Sequence, residues 1–145
     1  MDPTPEPTGF TDYTTHVRTE WVDYNGHMND AAYAIVCTEA NEVFLDHLGL
    51  SAAYREQTGA ALYTVEAHLR YLKECHEGAS IGARSFVESH DAKRLWVRTT
   101  LIGGSGAPVL EGRYLYLHVG PDGVTPFPPD RAAALAAAPT VPEPA

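Results

Sequence analysis

The chain has few cysteines, few basic residues and no long apolar run, and each shortage excludes a class of protein. Its 145 residues include only two cysteines, so a disulfide framework is excluded and both thiols are expected to be free. Ten Lys and Arg against nineteen Asp and Glu give a net charge of −9, which argues against nucleic acid as a partner. No apolar stretch approaches the ~20 residues that span a bilayer, so no membrane partner is expected.

Residues 1–9, M-D-P-T-P-E-P-T-G, lack the basic and apolar regions of a signal peptide, which favours a cytoplasmic protein. No P-loop or dinucleotide glycine fingerprint is present, and the seven His residues are too scattered for a metal site. The hydrophobic fraction of 44% is sufficient for one core. We therefore expect a flexible arm over residues 1–11, a single domain over 12–138 and a flexible tail over 139–145.

The stretch over residues 21–50 organises the chain. A strand pattern over residues 13–22 leads into W-V-D-Y-N-G-H-M-N-D-A-A-Y, whose Asn-Gly pair marks a turn. Apolar residues then recur at helical spacing over residues 30–48, with Asn29 or Asp30 as the N-cap and Gly49 as the C-terminal stop. This pattern predicts one long helix that needs a large surface to pack against.

The remaining sequence predicts strands rather than a second crossover helix. Alternating side chains over residues 61–73 place Tyr63, Val65, Ala67, Leu69 and Tyr71 on one face. Further strands are predicted over residues 81–89, 95–102 and 109–119, with short helical segments at 51–59 and in the Ala-rich tail. The predicted class is α+β: an antiparallel sheet of about five strands, most simply a meander, wrapped around one central helix in the hotdog arrangement.

Asp23 is the first candidate for chemistry, because it lies in a Gly-containing turn beside the predicted helix start. It would act as a general base or nucleophile, or bond only to the backbone of its own turn. His27 and Asn29 would position a water or a carbonyl, or satisfy the loop backbone. The oxyanion donors would be main-chain N–H groups near residues 29–31, at the positive end of the helix dipole. Glu39 on the helix is either the rival nucleophile or a structural carboxylate.

Two further polar groups have both a functional and a structural interpretation. Glu66 and His68 share the polar face of a strand expected to be central in the sheet, where they would line a site or simply face water. Lys93 and Arg94 lie in the turn H-D-A-K-R-L of an otherwise acidic chain. Paired cations of this kind either bind phosphates or form a solvated hairpin tip.

Residues 14–119 resemble the 4-hydroxybenzoyl-CoA-thioesterase-type branch of the hotdog acyl-CoA thioesterases. The resemblance is carried by the pattern D-x-x-x-H-x-N-x-A-x-Y and by R-Y-L-K-E-C-H-E-G, which ends at Gly78. It implies that Asp23 is the catalytic nucleophile or base and that the N–H of Asp30 polarises the thioester carbonyl, with His27 and Asn29 in support. It also implies a homodimer or a dimer of dimers, because active sites of this fold form between subunits. The family's turn is Thr-Asp or Ala-Gly, whereas this chain has Tyr-Asn-Gly.

The motifs W-V-D-Y-N-G-H-M-N-D-A-A-Y, H-L-R-Y-L and H-D-A-K-R-L further resemble the thioesterases found beside or fused to carnitine dehydrogenase. That resemblance implies betainyl-CoA as the substrate, with coenzyme A entering as part of it and no resident cofactor or metal. A quaternary ammonium requires aromatic faces and a carboxylate; the candidates are Trp21, Tyr24, Tyr63, Trp96 and Glu66. The phosphates of coenzyme A would bind Lys93 and Arg94, or Arg70. Aryl- or fatty-acyl-CoA hydrolysis and non-catalytic acyl-CoA binding remain the alternatives.

Overall fold

A long helix packs on one face of an antiparallel sheet in this structure, a computed structural model that describes residues 9–140. The helices are α1 (Asp30–His47), α2 (Ala52–Thr58) and α3 (Pro129–Ala137). The strands are β1 (Thr14–His16), β2 (Ala61–Tyr71), β3 (Ser80–His90), β4 (Arg94–Gly103), β5 (Pro108–Gly120) and β6 (Gly123–Val124). The sheet order is β1-β3-β4-β5-β2, with β6 paired to β5. The predicted α+β hotdog fold is confirmed.

The sequence predicts α1 to within one residue because both of its ends are determined locally. Asn29 caps the first turn, and Gly49 takes a positive φ of 75° that favours glycine. One face of the helix is buried at a spacing of three or four residues: Ala32, Tyr33, Val36, Cys37, Ala40, Asn41, Phe44 and Leu45. Among the helices of residues 9–140, none has the length and apolar character required to cross a bilayer.

A buried polar link fixes α1 on the sheet. Asn41 donates from Nδ2 to the hydroxyl of Tyr116 on β5 at 2.9 Å, and its Oδ1 accepts the hydroxyl of Thr99 on β4. All three residues are buried. Because buried polar groups are costly unless they are paired, this link favours a single position of the helix on the strands.

The first strand is shorter than predicted. The pattern over residues 13–22 predicts one strand, but β1 ends at His16 and a 3-10 turn covers Thr19–Trp21. After His16 the N–H of Val17 donates to the carbonyl of Ala79 at 2.9 Å, and the chain then enters the 3-10 turn. The turn buries the side chain of Trp21, so a tertiary contact overrides the local strand preference.

The predictions for β2 are wrong in two respects. It lies at the edge of the sheet beside β5, rather than centrally in a simple meander. Its register shifts between Thr64 and Glu66, so Val65 is an extra residue and the predicted alternation fails there. Tyr63 and Val65 are consequently 55% and 50% exposed.

Two segments beyond residues 12 and 138, the limits predicted for the domain, contact its core. Phe10 exchanges two backbone hydrogen bonds with Ser85 on β3, and its ring lies 5.2 Å from that of Phe44. At the other end, the carbonyl of Pro139 accepts the N–H of Val87 at 2.8 Å. The remainder of the predicted arm and tail, residues 1–8 and 141–145, lies outside the described residues.

Candidate active site

The N-terminus of α1 leaves a main-chain donor open. Asn29 accepts the N–H of Ala32 at 2.9 Å through Oδ1 and donates from Nδ2 to the carbonyl of Trp21 at 2.7 Å. The N–H of Ala31 is directed at the Oδ1 of Asp30 at 3.1 Å. Within residues 9–140 the N–H of Asp30 has no acceptor. It therefore remains available for a carbonyl oxygen, at the positive end of the helix dipole.

A cleft of about 360 Å³ opens beside this helix start. This volume is within the range of roughly 300–1,000 Å³ that is usual for small-molecule sites. Its walls combine apolar, aromatic and charged groups: Met28, Asp30, Tyr33, Tyr71, Leu72, Lys73 and Glu74. The cleft thus lies between the start of α1 and the segment that follows β2.

Two tyrosines connect the walls of the cleft. Tyr71 donates its hydroxyl to the carbonyl of Asp30 at 3.1 Å, and Tyr33 donates to the carbonyl of Lys73 at 3.0 Å. Their rings meet edge to face with centroids 5.3 Å apart. Burial raises the pKa of both phenols, and the Asp30 carboxylate raises the pKa of Tyr71 further. Both side chains are therefore neutral near pH 7.

Asp23 lies outside the cleft, in an exposed turn. Its Oδ1 accepts the N–H of Asn25 at 2.8 Å and that of His27 at 3.3 Å. His27 connects this turn to the cleft, because its Nε2 lies 3.4 Å from Oε2 of Glu74 and its ring contacts that of His76. Of the four residues predicted to be catalytic, Asp30 alone lines the cleft within residues 9–140.

Glu39, the predicted rival to Asp23, is part of a structural contact. The hydroxyl of Tyr13 donates to its carboxylate, and Arg18 lies 4.0 Å away. Burial and the bond to Glu39 raise the pKa of Tyr13 to about 12. Glu39 therefore joins α1 to the segment around β1, and it is not among the residues that line the cleft.

The two tryptophans predicted to bind the substrate, Trp21 and Trp96, each contact an arginine of the same chain. The guanidinium carbon of Arg18 lies 4.5 Å from the ring centroid of Trp21, which is buried. The same distance separates Arg113 from the ring centroid of Trp96. Neither tryptophan lines the cleft, so each of these rings acts first in an intramolecular cation–π contact.

The other predicted substrate contacts are also apart from the cleft. Tyr24 is 97% exposed at the tip of the Asp23 turn, and Tyr63 lies on the outer edge of β2. Glu66 is exposed on β2, with its Oε1 3.6 Å from Nε2 of His68. Within residues 9–140 none of the three lines the cleft. The structure therefore does not gather the predicted aromatic set into one site.

The predicted phosphate-binding cations occupy two places. Asp91 accepts the N–H groups of Lys93 and Arg94, and its Oδ2 pairs with Nε of Arg94 at 2.8 Å. These backbone bonds and the guanidinium of Arg94 lower the pKa of the Asp91 carboxyl. Arg70 lies instead on β2, beside a second cavity of about 420 Å³. That cavity is lined by His68, Leu69, Arg70, Arg98, Glu111 and Arg113.

Sequence reasoning missed the segment that closes the cleft. Tyr71, Lys73 and Glu74 are absent from the predicted site, although they lie in the motif R-Y-L-K-E-C-H-E-G. The available signal was the run of aromatic and charged residues at the end of a predicted strand. Its proximity to the helix start depends on a bridge between His27 and His76 and on the N–H of Met28, which donates to the carbonyl of Cys75 at 2.8 Å. No local pattern reveals these contacts between distant segments.

The sequence of this chain is similar to a protein family and to individual proteins of known activity. The family model of the thioesterase-like superfamily matches residues 17–135. Betainyl-CoA thioesterase of Pseudomonas aeruginosa is 41% identical over 114 residues, which cover 78% of this chain and 72% of that protein. L-carnitine dehydrogenase/betainyl-CoA thioesterase of Agrobacterium fabrum is 38% identical over 107 residues, and the chain covers 22% of that longer protein.

A solved structure matches across nearly the whole chain. It is a Staphylococcus aureus protein described as hypothetical and solved in complex with CoA. The two structures share a TM-score of 0.85 and 26% identity, covering 99% of this chain and 94% of the other. The sequence match over residues 17–135 and the shared fold agree, and the chain belongs to the thioesterase-like superfamily.

Proposed function

We propose that this protein is a thioester hydrolase that converts betainyl-CoA to glycine betaine and coenzyme A in carnitine catabolism. The observation that carries the proposal is the 41% identity to betainyl-CoA thioesterase of Pseudomonas aeruginosa. The Agrobacterium fabrum relative combines betainyl-CoA thioesterase with L-carnitine dehydrogenase, which supports the metabolic setting. The cleft at the start of α1 supports thioester chemistry in this chain.

The open N–H of Asp30 is the proposed oxyanion donor. The thioester carbonyl oxygen would accept this N–H as negative charge develops on it, and one such donor contributes about 3 kcal/mol to transition-state stabilisation. In the water-mediated route, the oxygen of water bonds to the carbonyl carbon while a carboxylate takes the proton. The carbon–sulfur bond then breaks and coenzyme A leaves as its thiolate. In the covalent route, the carboxylate itself attacks and water releases the acyl group afterwards.

Asp23 is the proposed base or nucleophile, with His27 and Asn29 in supporting roles. Asp23 holds the N–H of His27, and the His27 imidazole contacts Glu74 in the cleft wall. These contacts join the turn to the wall of the cleft, and the role proposed for Asp23 requires the thioester to extend from the Asp30 N–H to this turn. Asn29 fixes the helix start and therefore the direction of the Asp30 N–H.

Coenzyme A is proposed to enter as part of the substrate, with no resident cofactor or metal. Among the predicted phosphate contacts, Arg70 is favoured because it lines a cavity together with Arg98 and Arg113. Those two guanidinium groups share the single carboxylate of Glu88, so the three arginines outnumber the carboxylates Glu88 and Glu111 around them. Lys93 is the second choice, since Arg94 is already paired with Asp91. Arg70→Ala is expected to raise the KM for acyl-CoA more than Lys93→Ala does.

A homodimer through the edge of β2 is proposed, in a cytoplasmic protein. Edge strands present unpaired N–H and C=O groups, and β2 also exposes Tyr63 and Val65. Pairing two copies along this edge would cover these side chains. It would also bring a second subunit close to the cleft, because the cleft lies at the end of β2.

Release of free thiol from a panel of acyl-CoAs tests the proposed function. Betainyl-CoA should be hydrolysed with a higher kcat/KM than benzoyl-CoA or a long-chain acyl-CoA. A preference for benzoyl- or long-chain acyl-CoA would assign the protein to another thioesterase activity. Tight binding of coenzyme A without release of thiol from any member would identify a non-catalytic acyl-CoA-binding protein.

A further inference from the structure

A trimethylammonium group sets an unusual requirement on the site that holds it. It carries a full positive charge but has no N–H to donate, so single hydrogen-bond acceptors cannot orient it. Such cations are bound by the faces of aromatic rings, with negative charge nearby. If the proposed function is correct, the acyl pocket must meet this requirement, and the inference below rests on that function.

The aromatic groups of the cleft are Tyr33 and Tyr71. Tyr71 is 49% exposed, whereas Tyr33 is buried and its ring packs edge to face against that of Tyr71. The hydroxyl of Tyr71 is fixed on the carbonyl of Asp30. The plane of the Tyr71 ring is therefore set before a ligand arrives, and the loss of rotamer entropy on binding is small.

Two carboxylates line the same cleft as Tyr71, and one of them, that of Glu74, also lies 3.4 Å from Nε2 of His27. Asp30 and Glu74 are the carboxylates that line the cleft within residues 9–140, at its two walls. Met28 and Leu72 provide apolar surface suited to methyl groups. Lys73 also lines the cleft, and its charge suits the anionic parts of the substrate, the carboxylate product or the coenzyme A phosphates.

The other aromatic candidates are less suitable. Arg18 and Arg113 lie 4.5 Å from the ring centroids of Trp21 and Trp96, so those rings already carry a cation. Tyr24 is almost fully exposed, and a cation–π contact is weaker where water surrounds it. The cleft brings an aromatic face and two carboxylates together beside the oxyanion donor.

We infer that the exposed face of Tyr71, flanked by the carboxylates of Glu74 and Asp30, binds the trimethylammonium group of the substrate. Tyr71 and Glu74 would then determine the choice of a cationic acyl group over a neutral one of the same shape. Neither residue has to take part in bond making for this role.

The test compares a cation with its neutral isostere. The probes are two unreactive coenzyme A thioethers, one with a 3-trimethylammonio-2-oxopropyl group and one with a 4,4-dimethyl-2-oxopentyl group. They differ by a nitrogen in place of a carbon and by one charge. Isothermal titration calorimetry gives a Kd for each, and the ratio of the two values reports recognition of the charge. The wild-type protein should bind the cation about tenfold more tightly.

Substitutions in the cleft show which residues produce the preference for the cationic probe. Tyr71→Leu should remove most of the tenfold preference, while Tyr71→Phe keeps the ring and should retain it. Glu74→Gln should reduce the preference several-fold, and the matched change Glu56→Gln on the exposed face of α2 should not alter it. The Kd for the neutral probe serves as the internal check that each variant is folded.

The outcomes separate the two proposals. A wild-type protein without preference, or a Tyr71→Leu variant that keeps it, would overturn the ammonium site. Thiol release from betainyl-CoA is measured in parallel and bears on the proposed function alone. Charge preference without thiol release would refute hydrolysis and leave the site standing. If Glu74→Gln lowers turnover without changing the ratio of Kd values, Glu74 belongs to the chemistry instead.

Discussion

Asp23 accepts two main-chain N–H groups through Oδ1, so a test of its chemistry has to preserve that acceptor. Asp23→Asn does so while removing the negative charge. We expect this variant to keep the wild-type unfolding midpoint and to lose roughly 100-fold or more in kcat for thioester hydrolysis. The measurements are urea denaturation and thiol release. Turnover within a few-fold of wild type would remove Asp23 from the mechanism.

Asn29 determines where α1 begins, through an acceptor and a donor on one side chain. Asn29→Ala should lower the free energy of unfolding by about 1–2 kcal/mol, because the cap is lost and the carbonyl of Trp21 loses a partner. Asn29→Asp keeps the acceptor for the N–H of Ala32 and should therefore lower the free energy of unfolding by less than Asn29→Ala does. Denaturant midpoints of the two variants provide the comparison. An alanine variant as stable as the aspartate variant would contradict the capping role.

The sequence predicts the site residues at the start of α1 better than the residues of the opposite wall of the cleft. Asn29 and Asp30 are recognisable because capping depends on a few consecutive residues. Tyr71 and Glu74 reach the cleft through contacts between segments far apart in sequence, such as the N–H of Met28 donating to the carbonyl of Cys75. The aromatic character of Trp21 and Trp96 predicts that they bind a cationic substrate. Their cation–π contacts with Arg18 and Arg113 arise only in the folded chain and cannot be read from the sequence.

At the scale of elements, Glu88 connects three strands. Its Oε1 accepts from Arg98 on β4 at 2.6 Å, and its Oε2 accepts from Arg113 on β5 at 2.8 Å. Partial burial acts to raise the pKa of Glu88, but the bonds from Arg113 and Arg98 outweigh it. They hold the pKa below its ordinary value of 4.5. One carboxylate thus pairs with two guanidinium groups and joins β3, β4 and β5.

This link predicts a dependence of stability on pH. A carboxylate whose pKa is lower in the folded state stabilises the fold above its unfolded pKa. That contribution is lost as the pH falls through the folded value. The unfolding free energy of the wild-type protein should therefore decrease more than that of Glu88→Gln between about pH 7 and about pH 3.5. Urea titrations at both pH values measure the difference. Equal decreases in the unfolding free energy of the two proteins would show that Glu88 does not contribute to the pH dependence of stability.

The helices and strands differ in how well the sequence predicts them. α1 was predicted almost to the residue, because its cap, periodicity and glycine stop are all local. The strands β2 to β5 were found from alternation, but their order was not, since it depends on contacts between distant segments. The bulge at Val65 and the early end of β1 likewise reflect partners across the sheet.

At the scale of the whole molecule, the open edge of β2 predicts the state of assembly. Val65→Lys places a charge on the edge proposed to pair with a second copy, where burial of an unpaired ammonium is costly. Light scattering coupled to size exclusion should find a dimer for the wild-type protein and a monomer for this variant. Val124→Lys on β6, where the valine is also 50% exposed, is the matched control and should stay dimeric. A dimer that survives Val65→Lys would place the interface elsewhere.

The pairing of β2 with β5 also has a consequence for how the chain folds. β3 and β4 lie between these two strands in sequence, so β2 is synthesised long before its partner exists. Pairings so distant along the chain are slow to form, because the entropy of closing the loop is lost before the contact stabilises it. We expect a nascent chain that ends at Gly103 to keep β2 unpaired and prone to aggregation. β2 can then complete its pairing only once residue 120 has left the ribosome.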